Sequence, residues 1–379
     1  KEVLVRGVHR MKSKEIYLSL DEPDNSDHLW RYSPWKKVHP TGNVNEIPDN
    51  FESPNVSISY LDGSDLPSES ISIVKDDHAS KQNNFSDPVS MRFIESVSYD
   101  SKFTLKVSRN TVFEQPIILK IDAGTVNSAM NLNLEIERNC EFELITLIEG
   151  KPDWFGLLRN GNIGDGCIIN DVVVGQMKRG TLLRVDAVNI GRDSQLKAGS
   201  ISSGSERTKA DLRYMMDKKG SNLRVLGSIL AADKMHIDHH VEIYHDAPET
   251  FSRLDWHSAC GGSSQTIGTG MLRVSKGAKG ADAGQLFHNL LLSEKAEADS
   301  IPELEVSEHD VVGCGHGTAN GPIDEEQLFY LEARGFSPDD AKDALIAAFL
   351  NTTLSEMGSD ILHHWLAESL QDELKSLTT

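Results

Sequence analysis

From about residue 92 to residue 306, the chain is a succession of short segments in which apolar and polar residues alternate, separated by Gly, Asn and Asp. Alternation with a period of two is typical of half-buried β-strands, and no helix of ordinary length interrupts the region. So many short strands bury their faces only in a sandwich, a barrel, a propeller or a solenoid. The clearest alternating positions are Phe103, Leu105, Val107, Leu132, Leu134, Ile136, Phe142 and Leu144.

A faint internal repeat favours the solenoid among these folds. The triplet Leu-Arg-Val occurs at residues 183–185, 223–225 and 272–274, each time flanked by turn residues. Successive coils of a solenoid present equivalent strands, so a recurring triplet is expected in such a fold. The spacings between the three triplets are unequal, however, and they do not define the length of a coil.

The segments on either side of the β region differ from it. Residues 1–85 are mixed: Trp30, Arg31, Tyr32 and Trp35 form either a stacking surface or a cap on the core, and residues 62–86 predict a loop or linker. We therefore divide the chain into an N-terminal region at 1–85, a β domain at 86–320 and a helical domain at 321–379.

The helical domain carries readable start and stop signals. Acidic residues at 324–326 suit the N-terminus of a first helix, and Gly335 suits its end. Ser337 and Pro338 predict the cap and first turn of a second helix, and Ser359 begins a third. The predicted apolar face of the second helix includes Ala341, Leu345, Ala348 and Phe349.

Charge and composition exclude several classes of function. The net charge of −20, from 38 basic and 58 acidic residues, argues against a nucleic-acid partner, because phosphate binding needs a basic surface. No apolar run approaches the roughly 20 residues that cross a bilayer, so we expect no membrane insertion. The sequence contains no phosphate-binding loop, so we expect the chain to bind no nucleotide itself. Four scattered cysteines without a C-x-x-C motif suggest free thiols in a cytoplasmic protein.

A thiol and an imidazole stand two residues apart near the end of the β region. Cys314 and His316 lie within the stretch GCGHGTANGP, whose glycines let the backbone bend and approach a ligand or a second chain. Sulfur and imidazole nitrogen together suit iron, zinc or copper. A single C-x-H supplies only two ligands, and a buried thiol beside a turn histidine remains the alternative.

A histidine-rich stretch is the rival metal site. On a strand, His236, Asp238 and His240 would share one side and His239 would lie on the other, so the first three could converge as in a cupin-type iron or zinc centre. A cupin-like metal-dependent enzyme is therefore the alternative function, with His245 in the same stretch. The competing interpretation is that these side chains are structural.

Three blocks in this order resemble the SufB/SufD family of iron–sulfur cluster assembly proteins: LLLSEKAEADSIPELEV, the C-G-H-G element, and DEEQLFYLEARG. Upstream, KMHIDHHVEIYHDAPETFSR resembles a family segment that is matched here by His236, Asp238, His245, Ser252 and Arg253. The resemblance is strong between about residues 223 and 349. It implies a mainly β fold, with a right-handed parallel β-helix between a mixed N-terminal region and helical ends.

The resemblance also implies a scaffold rather than an enzyme. Such a chain pairs with a SufB-like subunit or with itself and docks the ATPase SufC through its C-terminal helices. Cys314 and His316 are then candidate ligands of iron or of a transient iron–sulfur cluster at the subunit interface, and His236, Asp238 and His245 are weaker candidates. The expected SufC-binding residues are Asp324, Glu325, Gln327, Leu328, Tyr330, Arg334 and Phe349.

Two features favour the SufD type within the family. SufD-like chains carry Cys-x-His-Gly where this chain has Cys314 to Gly317, whereas SufB-like chains tend to have Glu-His-Glu there. SufB-like chains also carry a cysteine at the position that corresponds to Phe287.

Overall fold

A computed structural model describes residues 13–75 and 83–378. Eighteen strands are named in these ranges: β1 Asn55–Tyr60, β2 Ile71–Lys75, β3 Lys102–Val107, β4 Ile117–Asp122, β5 Ser128–Ile136, β6 Glu141–Glu149, β7 Trp154–Ile163, β8 Ile168–Gly175, β9 Thr181–Ile190, β10 Gln195–Ser202, β11 Arg207–Met216, β12 Asn222–Ala231, β13 His236–His245, β14 Phe251–Cys260, β15 Gln265–Val274, β16 Asp282–Leu291, β17 Glu297–Val306 and β18 Gly313–Pro322. The helices used below are α1 Trp35–Val38, α2 Pro88–Val97, α3 Glu325–Ala333, α4 Pro338–Leu354 and α5 Asp360–Thr378.

The strands form two nine-stranded sheets that the chain visits alternately. One sheet has the order β1-β4-β6-β8-β10-β12-β14-β16-β18, and the other has β17-β15-β13-β11-β9-β7-β5-β3-β2. From β3 onward every named pair is parallel, so each coil contributes one strand to each sheet, in about eight turns. Large apolar side chains fill the space between the sheets. The predicted parallel β-helix is confirmed.

A stack of left-handed residues forms one corner of the solenoid. Residues of successive coils at this corner take positive φ: Asn110, Asn139, Gly166, Asp193, Gly220, Glu249 and Gly280. Each of them donates its N–H to a carbonyl of the following coil. Gly, and to a lesser extent Asn and Asp, adopts this conformation at low cost, which explains six of these seven residues; Glu249 is the exception.

The Leu-Arg-Val triplets are not equivalent positions, so the repeat argument was wrong although its conclusion was right. Leu183 on β9 faces outward, against the N-terminal aromatic residues, whereas Leu223 on β12 and Leu272 on β15 face the interior. The coil also changes length, because Trp154 pairs with Thr181, 27 residues on, and Gln265 pairs with Glu297, 32 residues on. A drifting coil length prevents a fixed sequence period.

The N-terminal segment covers the first coils. β1 pairs with β4 and β2 with β3, both antiparallel, so a strand lies inside the segment expected to be a loop or linker. Trp30 and Trp35 are buried against α2 and the outer face of one sheet, and they therefore cap the core. Residues 1–12 and 76–82 of the predicted N-terminal region lie outside the described residues. The domain boundaries themselves stay predictions.

Helix α2 was not anticipated. Asp87 accepts a hydrogen bond from the Ser90 N–H, and Pro88 occupies the first turn, so this helix has the same start signals as α4. Its buried face packs against β5, β7 and β9. The apolar–polar alternation that surrounds it masked a ten-residue helix.

The C-terminal helices begin and end where the sequence indicates. Asp324 caps α3, Gly335 follows it at φ +99°, and Ser337 caps α4. The apolar face of α4 is rotated from the predicted one, since Ala348 is exposed and the buried positions are Ala341, Ile346, Leu350, Thr353 and Leu354. α4 packs on the outer face of β12 and β14. None of the helices in the described part of the chain is both long and apolar enough to span a membrane.

Candidate functional site

The last coil brings Cys314 and His316 to one end of the solenoid. Both lie on β18, where Cys314 pairs with Ala283 and His316 with Gln285 of β16. Ala283 and Gln285 are buried on the inner face of their sheet, so Cys314 and His316 share that inner face on the final strand. Cys314 is half-buried against the core, whereas His316 is exposed. The structure therefore places the thiol and the imidazole side by side at an open end.

The backbone of β18 is also unpaired along one edge. Among the described residues, β16 is its only strand neighbour, as β15 is for β17. Asp282 and Leu292 donate their N–H groups toward β14, and the N–H direction alternates along a strand, so the odd-numbered residues of β16 face β18. In a parallel pair, Gln285 therefore bonds to the two neighbours of its register partner His316, and the outward N–H groups of β18 belong to Cys314, His316, Thr318 and Asn320.

The two terminal strands differ in how well their edges are protected. By the same alternation, Glu297 and Ser307 donate toward the preceding coil, so Pro302, at an even position of β17, faces the open edge. Proline and charge are the usual means of blocking an exposed edge, and β17 carries Pro302 and four acidic residues. β18 has no Asp, Glu, Lys or Arg, and its proline stands only at its end. β18 is thus the edge that remains free to pair.

An open groove of about 760 Å³ runs beside this strand and includes Cys314 and His316 in its lining. Arg253 donates to Asp282 at 2.9 Å and lies 4.4 Å above the Phe251 ring, so the groove has a fixed ion pair at its wall. Partial burial, followed by the Asp282 carboxylate, raises the pKa of the Cys314 thiol. A metal that binds this sulfur must therefore displace a proton.

The histidine-rich stretch does not converge into one centre. His236 begins β13 and His245 ends it, which separates them by about 30 Å at the rise of a strand. His236 contacts Ser33 Oγ at 2.9 Å, and Asp238 lies 3.6 Å from the Lys209 ammonium. His245 is fully buried between two hydroxyls, Thr250 Oγ1 at 2.8 Å and Ser252 Oγ at 2.7 Å. Each side chain has its own local partner, as the structural interpretation expected.

A charged cluster inside the solenoid is also satisfied locally. Arg159 contacts Asp171 at 2.7 Å and Asp186 at 3.1 Å, and Arg184 pairs with Asp186. Burial alone would lower the pKa of Arg159, but the two carboxylates hold it above its usual value. The cluster's charges are paired with one another, although Arg159 Nε is buried and has no hydrogen-bond partner among the described residues.

A different trio is brought together on the outer face of the sheet that contains β18. One atom each of Asp255, His257 and His288 lies within 4.8 Å of the others, which makes this the sole such group of three among the described residues. His257 and His288 are register partners on β14 and β16. Sequence analysis did not group His257 with Asp255 or His288. His257 and His288 are 31 residues apart in the sequence, so no local pattern indicates that they meet. The one local signal is the D-x-H spacing of Asp255 and His257 on β14.

Helix α3 exposes most of the residues predicted to dock a partner. No residue of α3 is buried; Phe329 is 72% exposed, Tyr330 is 55% exposed, and Arg334 lies 4.8 Å above the Tyr330 ring. Asp324 is engaged as the N-cap, while Glu325 and Gln327 are exposed and Leu328 is half-buried. Phe349 is different, because its ring stacks on His257 at 4.6 Å and so faces the sheet.

Comparisons with known proteins agree with the resemblance. Residues 162–349 match the family described as SUF system FeS cluster assembly, SufBD core domain. The chain is 27% identical over 192 residues to the iron–sulfur cluster assembly SufBD family protein ML0594 of Mycobacterium leprae, covering 49% of each chain. It is 31% identical over 148 residues to the chloroplastic protein ABCI7 of Arabidopsis thaliana, covering 39% of this chain and 29% of that one. The chain spans about half the length of the first of these relatives.

Proposed function

Because this chain belongs to the SufB/SufD family of iron–sulfur cluster assembly proteins, we propose that it is a SufD-like scaffold subunit that pairs through its last coil. The observation that carries the proposal is the combination found on β18. A free, uncharged edge there stands beside a half-buried thiol and an exposed imidazole on one face. Pairing through this edge would bring both side chains to the junction of two subunits.

The cluster is the cargo of this reaction, and the chain supplies part of its coordination. Iron–sulfur clusters are commonly held by about four protein ligands. Cys314 and His316 provide two, and the pairing subunit, a SufB-like chain or a second copy, would provide the rest. The raised pKa of the Cys314 thiol favours its protonated form before iron arrives, so ligation would release a proton to solvent.

Energy for the cycle would come from a SufC-type ATPase docked on the C-terminal helices. The exposed face of α3 offers Phe329 and Tyr330 beside Arg334, which is an aromatic and cationic surface suited to a partner. Phe349 is removed from this surface because it packs on His257. Phe336, 46% exposed just after α3, extends the same surface instead.

The SufD assignment depends on the Cys314 to Gly317 motif and on Phe287. Phe287 is buried in the interior, where it contributes to the apolar core rather than to any thiol chemistry. The cupin-like alternative has no supporting geometry, since His236 and His245 lie at opposite ends of β13.

The proposal is tested by replacing both ligands in the assembled complex. The chain would be co-purified with its SufB-type and SufC-type partners, as wild type and as the Cys314→Ser/His316→Ala double variant. We expect cluster transfer to an apo-ferredoxin to fall by at least about tenfold, while the mass of the complex and its ATPase activity stay unchanged. His364→Ala, an exposed histidine on α5, is the matched control. Unchanged transfer by the double variant would leave only an architectural role for the chain.

A further inference from the structure

The outer face of β14 and β16 carries three potential ligands beneath helix α4. Asp255 and His257 stand two residues apart on β14, and His288 is the register partner of His257 on β16, so all three project to one side. The residues between them, Trp256 and Phe287, project inward into the core. The three side chains are therefore held on rigid strands rather than on a loop.

The hydrogen bonding of His257 fixes which nitrogen is free. Its Nδ1 lies 2.9 Å from the backbone carbonyl oxygen of Phe349, which accepts only, so Nδ1 carries the proton and donates. In the neutral ring, Nε2 then presents a lone pair. A ring N–H bonded to a backbone carbonyl is the usual support of a metal-bound histidine.

That lone pair points to an oxygen that also lacks a proton donor. Asp255 Oδ1 lies 3.3 Å from His257 Nε2, but it is buried and has no hydrogen-bond partner among the described residues. With His257 neutral, two acceptors face each other, and either a metal ion or a second proton on Nε2 would join them. Ser228 Oγ, on the register partner of His257 on β12, is likewise buried and unpaired within the described part of the chain.

We propose that Asp255, His257 and His288 bind one divalent transition ion, Zn²⁺ or Fe²⁺, and thereby clamp helix α4 to the solenoid. Two imidazole nitrogens and one carboxylate oxygen are a donor set that suits both ions. Ligand atoms around a tetrahedral ion with bonds of about 2.0–2.1 Å stand about 3.3 Å apart; Asp255 Oδ1 already lies 3.3 Å from His257 Nε2, and all three ligand atoms lie within 4.8 Å of one another. The Phe349 carbonyl links the site directly to α4.

The site is separate from Cys314 and His316, so the experiment removes those first. In the full-length Cys314→Ser/His316→Ala chain, stripped with a chelator, Zn²⁺ and anaerobic Fe²⁺ are each titrated by calorimetry. We expect one saturable site for at least one ion. His288→Gln and Asp255→Asn should weaken it at least about tenfold, while His364→Ala leaves it unchanged. The relative affinities for Zn²⁺ and Fe²⁺ identify the preferred ion.

Two further readouts separate a metal site from a structural effect. Co²⁺ bound here should give ligand-field absorption without a sulfur charge-transfer band, because all donors are nitrogen or oxygen. Metal should also slow amide hydrogen exchange in α4, and the slowing should disappear in Asp255→Asn. Absence of a saturable site overturns the proposal. So does a metal affinity in His288→Gln and Asp255→Asn that is the same as in the parent chain. Either result leaves the scaffold function untouched.

Discussion

The two ends of the solenoid are built in opposite ways. At the first end, β1 and β2 run antiparallel to β4 and β3, and Trp35 and Phe93 are buried against the flanking sheet. At the last end, β17 and β18 are largely exposed, and β18 lacks the charges that protect an edge. The C-terminal helices do not close this end, because α4 packs sideways on β12 and β14. One end is thus capped, and the other leaves a strand edge exposed.

The largest expected effect is the loss of stability when a buried aromatic side chain of the capped end is removed. Trp35 is 1% exposed, and its ring contacts Tyr17 and Phe93 edge to face. Trp35→Ala should therefore reduce the free energy of unfolding by about 3–5 kcal/mol, as measured by urea denaturation. Phe329→Ala on exposed α3 is the comparison and should change it by less than about 0.5 kcal/mol. Equal effects of the two variants would contradict the proposed difference between buried and exposed aromatic residues.

The second-largest expected effect is a loss of stability at low pH, which comes from His39 in the capped end. Burial lowers the pKa of His39 to about 4, whereas the unfolded chain has about 6.5. Because the folded value is the lower one, the stabilisation is complete above pH 6.5 and is lost as the pH falls toward 4. Allowing for residual solvent screening, the loss amounts to about 2 kcal/mol.

The comparison of wild type with His39→Gln isolates this contribution. Unfolding free energies of both proteins would be measured at about pH 7.5 and about pH 4.5. We expect the wild type to lose more stability than the variant over that interval. An identical pH dependence would show that His39 is not buried as a neutral ring.

A smaller effect is expected at the open end. Thr318→Pro removes an N–H that faces outward, so the isolated chain should keep its stability within about 1 kcal/mol. Association with the pairing subunit should weaken at least about tenfold, or about 1.4 kcal/mol, by analytical ultracentrifugation. Ala319→Pro is the matched variant, since the Ala319 N–H faces β16 and its loss should destabilise the chain itself. Undiminished association of Thr318→Pro would argue against edge pairing.

Sequence alone predicted the strands and the helix ends well, because those signals are local. Leu132 and Leu134 alternate with polar residues on β5, and Ser337 and Gly335 mark helix boundaries by their own chemistry. Both faces are buried in β9, however, where the N-terminal segment covers the outside, so alternation fails there. Contacts across coils of changing length left no period in the sequence.

In the candidate site, too, local features could be predicted from the sequence, and contacts between coils could not. Cys314 and His316 are neighbours along the chain, and their shared face follows from alternation on a strand. The grouping of Asp255 with His288 depends on the register between β14 and β16, which no local pattern specifies. The trio expected to converge at His236 does not do so, because His236, Asp238 and His240 follow one another along a single strand and each has its own partner.

Residue-resolved amide hydrogen exchange along β18 tests the central claim most directly. In the isolated chain, the outward N–H groups of His316, Thr318 and Asn320 should exchange fast, while those of Gly315 and Gly317 are protected by β16. In the purified assembly with the pairing subunit, the first three should become protected. If the assembly forms and these three amides still exchange as in the isolated chain, β18 is not the pairing edge and Cys314 and His316 do not lie at a strand-paired junction.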